Sequence, residues 1–178
     1  MSQENTQDII KGAILLERKG KTFYETTARN TASEAVREIF ETMAAEEEKH
    51  IDILFKQYES LVRSGKLSAV EYEQRPQQIS AAVLTRQVRE QITAASFEAA
   101  AISAAMAMED NAVKFYSQQA VTTKDKLEQE LFNWLANWEK THLQFLSDLD
   151  NELKESVWYD NQFWPMVKFN LYSNLFDK

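Results

Sequence analysis

The chain has 178 residues, enough for one domain with a sizeable core, and its 3 glycines and 2 prolines among apolar residues at helical spacing indicate an all-α protein. A net charge of −8, spread along the chain, argues against partners such as nucleic acid or an anionic membrane. The absence of cysteine excludes disulfides, thiolate sites, iron–sulfur clusters and a Cys-x-x-Cys iron.

Residues 1–8 are polar and lead into no uninterrupted apolar run, so no signal peptide is expected. No apolar stretch approaches membrane-spanning length, and a cytoplasmic protein is the default expectation. The first helix is predicted over residues 6–30, with an inward stripe of Ile10, Ala13, Glu17, Gly20 and Tyr24. Thr31, Ala32, Ser33 and Glu34 form a plausible capping box for a second helix. That helix carries Val36, Phe40, Met43, Glu47, His50, Leu54, Tyr58 and Leu61 and should end near Ser64 and Gly65. A link of about 30 residues follows, too long for a simple turn, with Pro76 and a short amphipathic piece over 81–92. Such a link lets the third helix start at the end opposite to where the second stops. The third helix, about 95–121, shows Ile102, Ala105, Glu109, Ala112 and Tyr116. Residues 122–125 can cap a fourth, with Phe132, Leu135, Glu139, His142, Leu146, Leu149 and Leu153 on its stripe. The remainder is rich in aromatics, among them Trp158, Tyr159, Phe163, Trp164 and Phe169.

The two halves repeat. A shift of 92 residues takes Glu47-Glu-Lys-His50 onto Glu139-Lys-Thr-His142, Glu17 onto Glu109, Phe23-Tyr24 onto Phe115-Tyr116, and Phe40 onto Phe132. Each half supplies a lone Glu and a Glu-x-x-His pair. Glu and His at i and i+3 project from one helix face, about 5–6 Å apart at Cβ. Glu17, Glu47, Glu109, Glu139, His50 and His142 all fall on apolar seams. Burying an ionised carboxylate without a partner costs several kcal/mol. Two divalent cations would balance the four carboxylates while both imidazoles stay neutral. Taken singly, each element has a bland alternative. A lone Glu-x-x-His is commonly a surface pair, the run Glu46, Glu47, Glu48 an exposed face, and Tyr24 and Tyr116 core tyrosines. Small residues also align, Gly12 with Ala104 and Gly20 with Ala112, leaving either close helix packing or room at the site.

On these residues the chain resembles the ferritin-like di-iron carboxylate superfamily, and within it the rubrerythrin-like branch, here lacking a rubredoxin domain. The resemblance covers about residues 6–154 and rests on Glu17 with Phe23-Tyr24, Glu47-x-x-His50, Glu109 with Phe115-Tyr116, and Glu139-x-x-His142. It implies a ferritin-like four-helix bundle over residues 1–154, two helical hairpins joined by a crossover at about 65–94; the aromatic composition of 155–178 adds the expectation of a C-terminal extension packing on the bundle or a partner subunit. It implies two iron ions, with manganese or a mixed pair also suited to these ligand types. Glu47 and Glu139 would bridge, Glu17 and Glu109 would be terminal ligands, and His50 and His142 would each hold one ion. Tyr24 and Tyr116 would hydrogen-bond ligating carboxylates. The implied function is an oxidoreductase reacting with dioxygen or hydrogen peroxide and drawing electrons from an external donor, expected as a homodimer. A ferroxidase or storage protein, a di-manganese catalase and a helical module with a structural metal site are the alternatives. Rubrerythrins proper carry a further Glu one turn beyond the third-helix ligand, where this chain has Ala112. That departure implies a more symmetric site.

Overall fold

A computed structural model describes residues 3–72 and 97–158, and these form four α-helices: α1 (Gln3–Asn30), α2 (Glu34–Ser64), α3 (Phe97–Thr122) and α4 (Lys126–Trp158). Among the described residues the fold is the expected all-α four-helix bundle. α1 starts three residues earlier than the stripe suggests, and α4 continues past residue 154 to Trp158. Pro76, the amphipathic piece over 81–92 and the aromatic residues from 159 onward lie outside the described residues. Among the described residues no helix is long and apolar enough to cross a membrane.

The helix starts are set by side chains that accept the first free backbone N–H groups. The N-cap of α2 is Ser33, whose Oγ accepts from Val36 N, and not the Thr31 of the expected capping box. Thr31 instead accepts from Ser33 N and donates to Glu98. Asp125 caps α4, accepting from Leu127 N and Glu128 N at 2.8 and 3.2 Å. Ser33 and Asp125 are repeat mates, as are Thr31 and Thr123, so the internal repeat extends to the caps. At the end of α2, Gly65 adopts a left-handed φ of 74° and its N–H reaches Leu61 O, a conformation that glycine takes without steric cost.

α1 packs along α2 and α3 along α4; between these hairpins the closest backbone approach is α1 against α3. Two apolar clusters fill the bundle. One gathers Tyr24, Val36, Phe40, Met43, Ile102, Leu146 and Leu149. The other gathers Ile10, Leu54, Tyr116, Leu131, Phe132 and Leu135. Tyr24 stacks on Phe40 in the first as Tyr116 stacks on Phe132 in the second, again repeat mates. The polar residues of the seams lie between these two apolar layers, which hold them away from water from both ends of the bundle.

Candidate metal centre

All six seam residues converge. Glu17 comes from α1, Glu47 and His50 from α2, Glu109 from α3, Glu139 and His142 from α4, and none is more than 3% exposed. Their ligand-type atoms form two overlapping groups, each within a 4.8 Å span: Glu17, Glu47, His50, Glu139 and Glu47, Glu109, Glu139, His142. Glu47 and Glu139 belong to both.

The orientation of the atoms is informative. Both imidazoles turn Nδ1 towards the carboxylates. His50 Nδ1 lies 3.1 Å from Glu17 Oε2, 3.1 Å from Glu139 Oε1 and 3.4 Å from Glu47 Oε2. His142 Nδ1 lies 3.2 Å from Glu139 Oε2, 3.5 Å from Glu109 Oε1 and 3.8 Å from Glu47 Oε1. Each shared carboxylate thus directs one oxygen to each histidine, the disposition a bridging ligand needs. Both oxygens of Glu139 and Nδ1 of His142 lack a hydrogen-bond partner, their mutual contacts having poor hydrogen-bond geometry. Buried polar atoms are rarely left so, and a pair of cations among them would satisfy all three.

Tyr24 and Tyr116 also reach the cluster, with a twist of connectivity. Tyr24 donates to Glu109 and Tyr116 donates to Glu17, each bonding the carboxylate of the other half. Since each tyrosine lies two turns after its own glutamate, this crossed pairing requires α1 and α3 to run antiparallel. α3 therefore starts at the opposite end of the bundle from where α2 stops.

Without a metal, protons carry the balancing charge. Burial, then the charges of Glu139 and Glu17, lift the Glu47 carboxyl well above its ordinary range. Burial and the charge of Glu139 push Glu109 up to about 8. Burial would also raise Glu139, but His50 and His142 on its two sides outweigh it and hold this carboxyl below the usual range. Burial works against protonated His50 and His142; Glu139 and Glu17 beside the first, and Glu109, Glu139 and Glu46 around the second, keep both raised. Burial, reinforced by Glu109 and Glu17 respectively, raises both tyrosines, which therefore remain neutral donors. The cluster is a proton store that cations would empty.

The run Glu46, Glu47, Glu48 is not a single exposed face. Glu48 is exposed and pairs with Lys21 at 2.5 Å. Glu46 is 2% exposed, and its Oε2 lies 2.5 Å from His142 Nε2 and accepts from Trp138 Nε1 at 3.3 Å. The spacing of Val36, Ile39, Met43, Glu46 and His50 along α2 carries this signal, since steps of three and four trace a buried stripe beside the one through Glu47.

Of the small residues, Gly12 has open space where a Cβ would sit, whereas a Cβ on Gly20 would lie 3.4 Å from Glu47 Cδ. Gly20 therefore borders the Glu47 carboxylate, and an added Cβ would come into van der Waals contact with it. A cavity of about 20 Å³ opens there, lined by Gly20, Ala112 and the four seam glutamates among others. That volume suits a water-sized molecule.

An antiparallel four-helix bundle with inward carboxylates and Glu-x-x-His pairs on facing helices has the architecture of the ferritin-like di-iron carboxylate proteins. A family model described as Rubrerythrin matches residues 8–154, and the chain belongs to the rubrerythrin family. Searches of curated proteins and of solved structures returned no match.

Proposed function

We propose that this protein is a di-iron oxidoreductase that reduces dioxygen or hydrogen peroxide at the buried centre. The observation that carries the proposal is the pair of overlapping ligand groups sharing Glu47 and Glu139. Glu17 and His50 would hold one ion, Glu109 and His142 the other, and Glu47 and Glu139 both. Two irons bound there would supply the electrons for reducing the oxidant. The protein's part is to fix the ligands, exclude bulk water and admit a small molecule. Tyr24 and Tyr116 restrain the terminal carboxylates through their hydroxyls. The gap beside Gly20 and Ala112 lies on the carboxylate side, where a small oxidant would approach. With no cysteine in the given sequence to carry an iron–sulfur or rubredoxin-type relay, re-reduction would draw on a separate electron donor.

Metal analysis of the purified protein, followed by mixing the anaerobically reduced form with dioxygen or with peroxide, tests the proposal. Two irons per chain and a rapid optical change with one oxidant are expected. A protein that takes up no iron, or whose loaded form reacts with neither oxidant, contradicts it.

A further inference from the structure

The internal repeat makes the two halves of the centre look equivalent, yet the surroundings of the two histidines differ. Nε2 of His142, the nitrogen turned away from the carboxylate cluster, meets Glu46 at 2.5 Å. Glu46 is itself held by the indole N–H of Trp138. A shift of 92 residues takes Glu46 onto Trp138, so the position that should serve His50 carries an indole and not a carboxylate. Nε2 of His50 accordingly has no hydrogen-bond partner among the described residues. Trp134 and Trp138 stand nearly perpendicular to the His50 ring, at interplanar angles of 81° and 88° and centroid distances of 5.5 and 5.4 Å.

The consequence for metal binding is direct. A ligating imidazole whose outer N–H bonds a carboxylate is a stronger donor, fixed in tautomer and ring orientation. Glu46 gives His142 all of this, with Nε2 as the protonated nitrogen and Nδ1 free for a metal. At His50 the outer nitrogen has no carboxylate partner among the described residues; indole rings stand beside the imidazole instead, and an N–H···π contact with one of them would be a much weaker anchor. Glu46 also places a buried carboxyl on the His142 side of the centre.

We infer that the two metal positions are inequivalent. The Glu109–His142 position is the tighter and fills first, the Glu17–His50 position follows, and Glu46 is the positioning residue that sets the order. The inference rests on the assignment of the cluster as a two-metal site.

Titration of the metal-free full-length protein with cobalt(II), followed by calorimetry and visible absorption, separates the possibilities. Two steps differing by tenfold or more are expected. His142→Ala should remove the tighter step and His50→Ala the weaker. Glu46→Gln keeps the size and an acceptor for the Nε2 proton but removes the charge. It should weaken the tighter step about tenfold or more, in line with the loss typical of such outer partners, and leave the other step unchanged. Trp138→Phe, which removes the indole donor that fixes Glu46, should weaken the same step by a smaller factor. Two equal affinities in the wild-type protein, or an equal loss on both steps in Glu46→Gln, would overturn the inference while leaving the two-metal assignment intact. Failure to bind cobalt at all would overturn both.

Discussion

The hydroxyl of Tyr116 on α3 donates to Glu17 on α1, 99 residues away in sequence. Replacing Tyr116 by Phe leaves a buried carboxylate oxygen short of a donor, a loss of about 1–3 kcal/mol. Tyr116→Phe should therefore lower the melting temperature of the metal-free protein and weaken metal binding. Tyr24→Phe should behave alike through Glu109, since the two bonds are related by the repeat. Thermal unfolding and metal titration of both variants check this. Unchanged values for both would show that the hydroxyls do not restrain the carboxylates.

Removing metal should destabilise the fold. An ion held at 100 times its dissociation constant contributes about 2.7 kcal/mol. For a protein of this size each kcal/mol shifts the melting temperature by about 2–4 °C, so chelation should cost about 5–10 °C per ion. Differential scanning calorimetry with and without a chelator measures it, and coincident curves would exclude a bound structural ion.

The metal-free protein should lose stability as pH rises from about 4.5 to about 8. Glu109 titrates at about 8 in the folded protein against an ordinary 4.5, so the folded state binds the extra proton. The stability from that proton is complete below 4.5 and disappears as pH climbs through 8. Glu47, His50 and His142 are raised as well and act in the same direction. Glu139, being lowered, acts the other way, but only below the ordinary carboxylate range. Metal binding displaces these protons, so affinity should rise over the same interval. Melting curves of both forms across this interval give the two trends. A metal-free protein that grows more stable towards pH 8 would contradict the burial of the cluster.

Position along the glutamate run of α2 should decide the effect of truncation. Glu47→Ala and Glu139→Ala each remove a carboxylate common to both ligand groups and should lower metal stoichiometry. Glu48→Ala removes an exposed partner of Lys21, worth about 0–1 kcal/mol, and should leave stoichiometry unchanged. Metal analysis of the three variants is sufficient, and equal losses at all three would contradict the assignment.

Much of the centre was legible in the sequence because a charged residue on an apolar helical stripe needs a compensating partner. Glu17, Glu47, His50, Glu109, Glu139 and His142 each sit on such a stripe, and the repeat placed them in matched sets. Periodicity gives the face of a helix but not the neighbour it meets. For that reason the crossed bonds of Tyr24 and Tyr116 could not be assigned to particular glutamates. Glu46 escaped because it sits beside Glu47 in a charged run, and adjacent residues on a helix point about 100° apart. The stripe through Val36, Ile39, Met43 and Glu46 runs beside the one through Glu47, and the packing of Trp138 on Glu46 shows that both glutamates are covered while Glu48 is not. The cap of α2 fell two residues later than the capping box because Thr31 is engaged with Glu98.

The sharing of Glu47 and Glu139 has a consequence for how such a chain can diverge. Each hairpin carries two glutamates and one histidine, and neither holds a complete set for even one of the two groups. Two identical hairpins could build the same centre by pairing, but every change in one would appear in the other. Joined in a single chain, the halves are free to differ, and Glu46 opposite Trp138 is such a difference. Fusion lets a duplicated ligand set become an uneven one, with different neighbours for its two histidines.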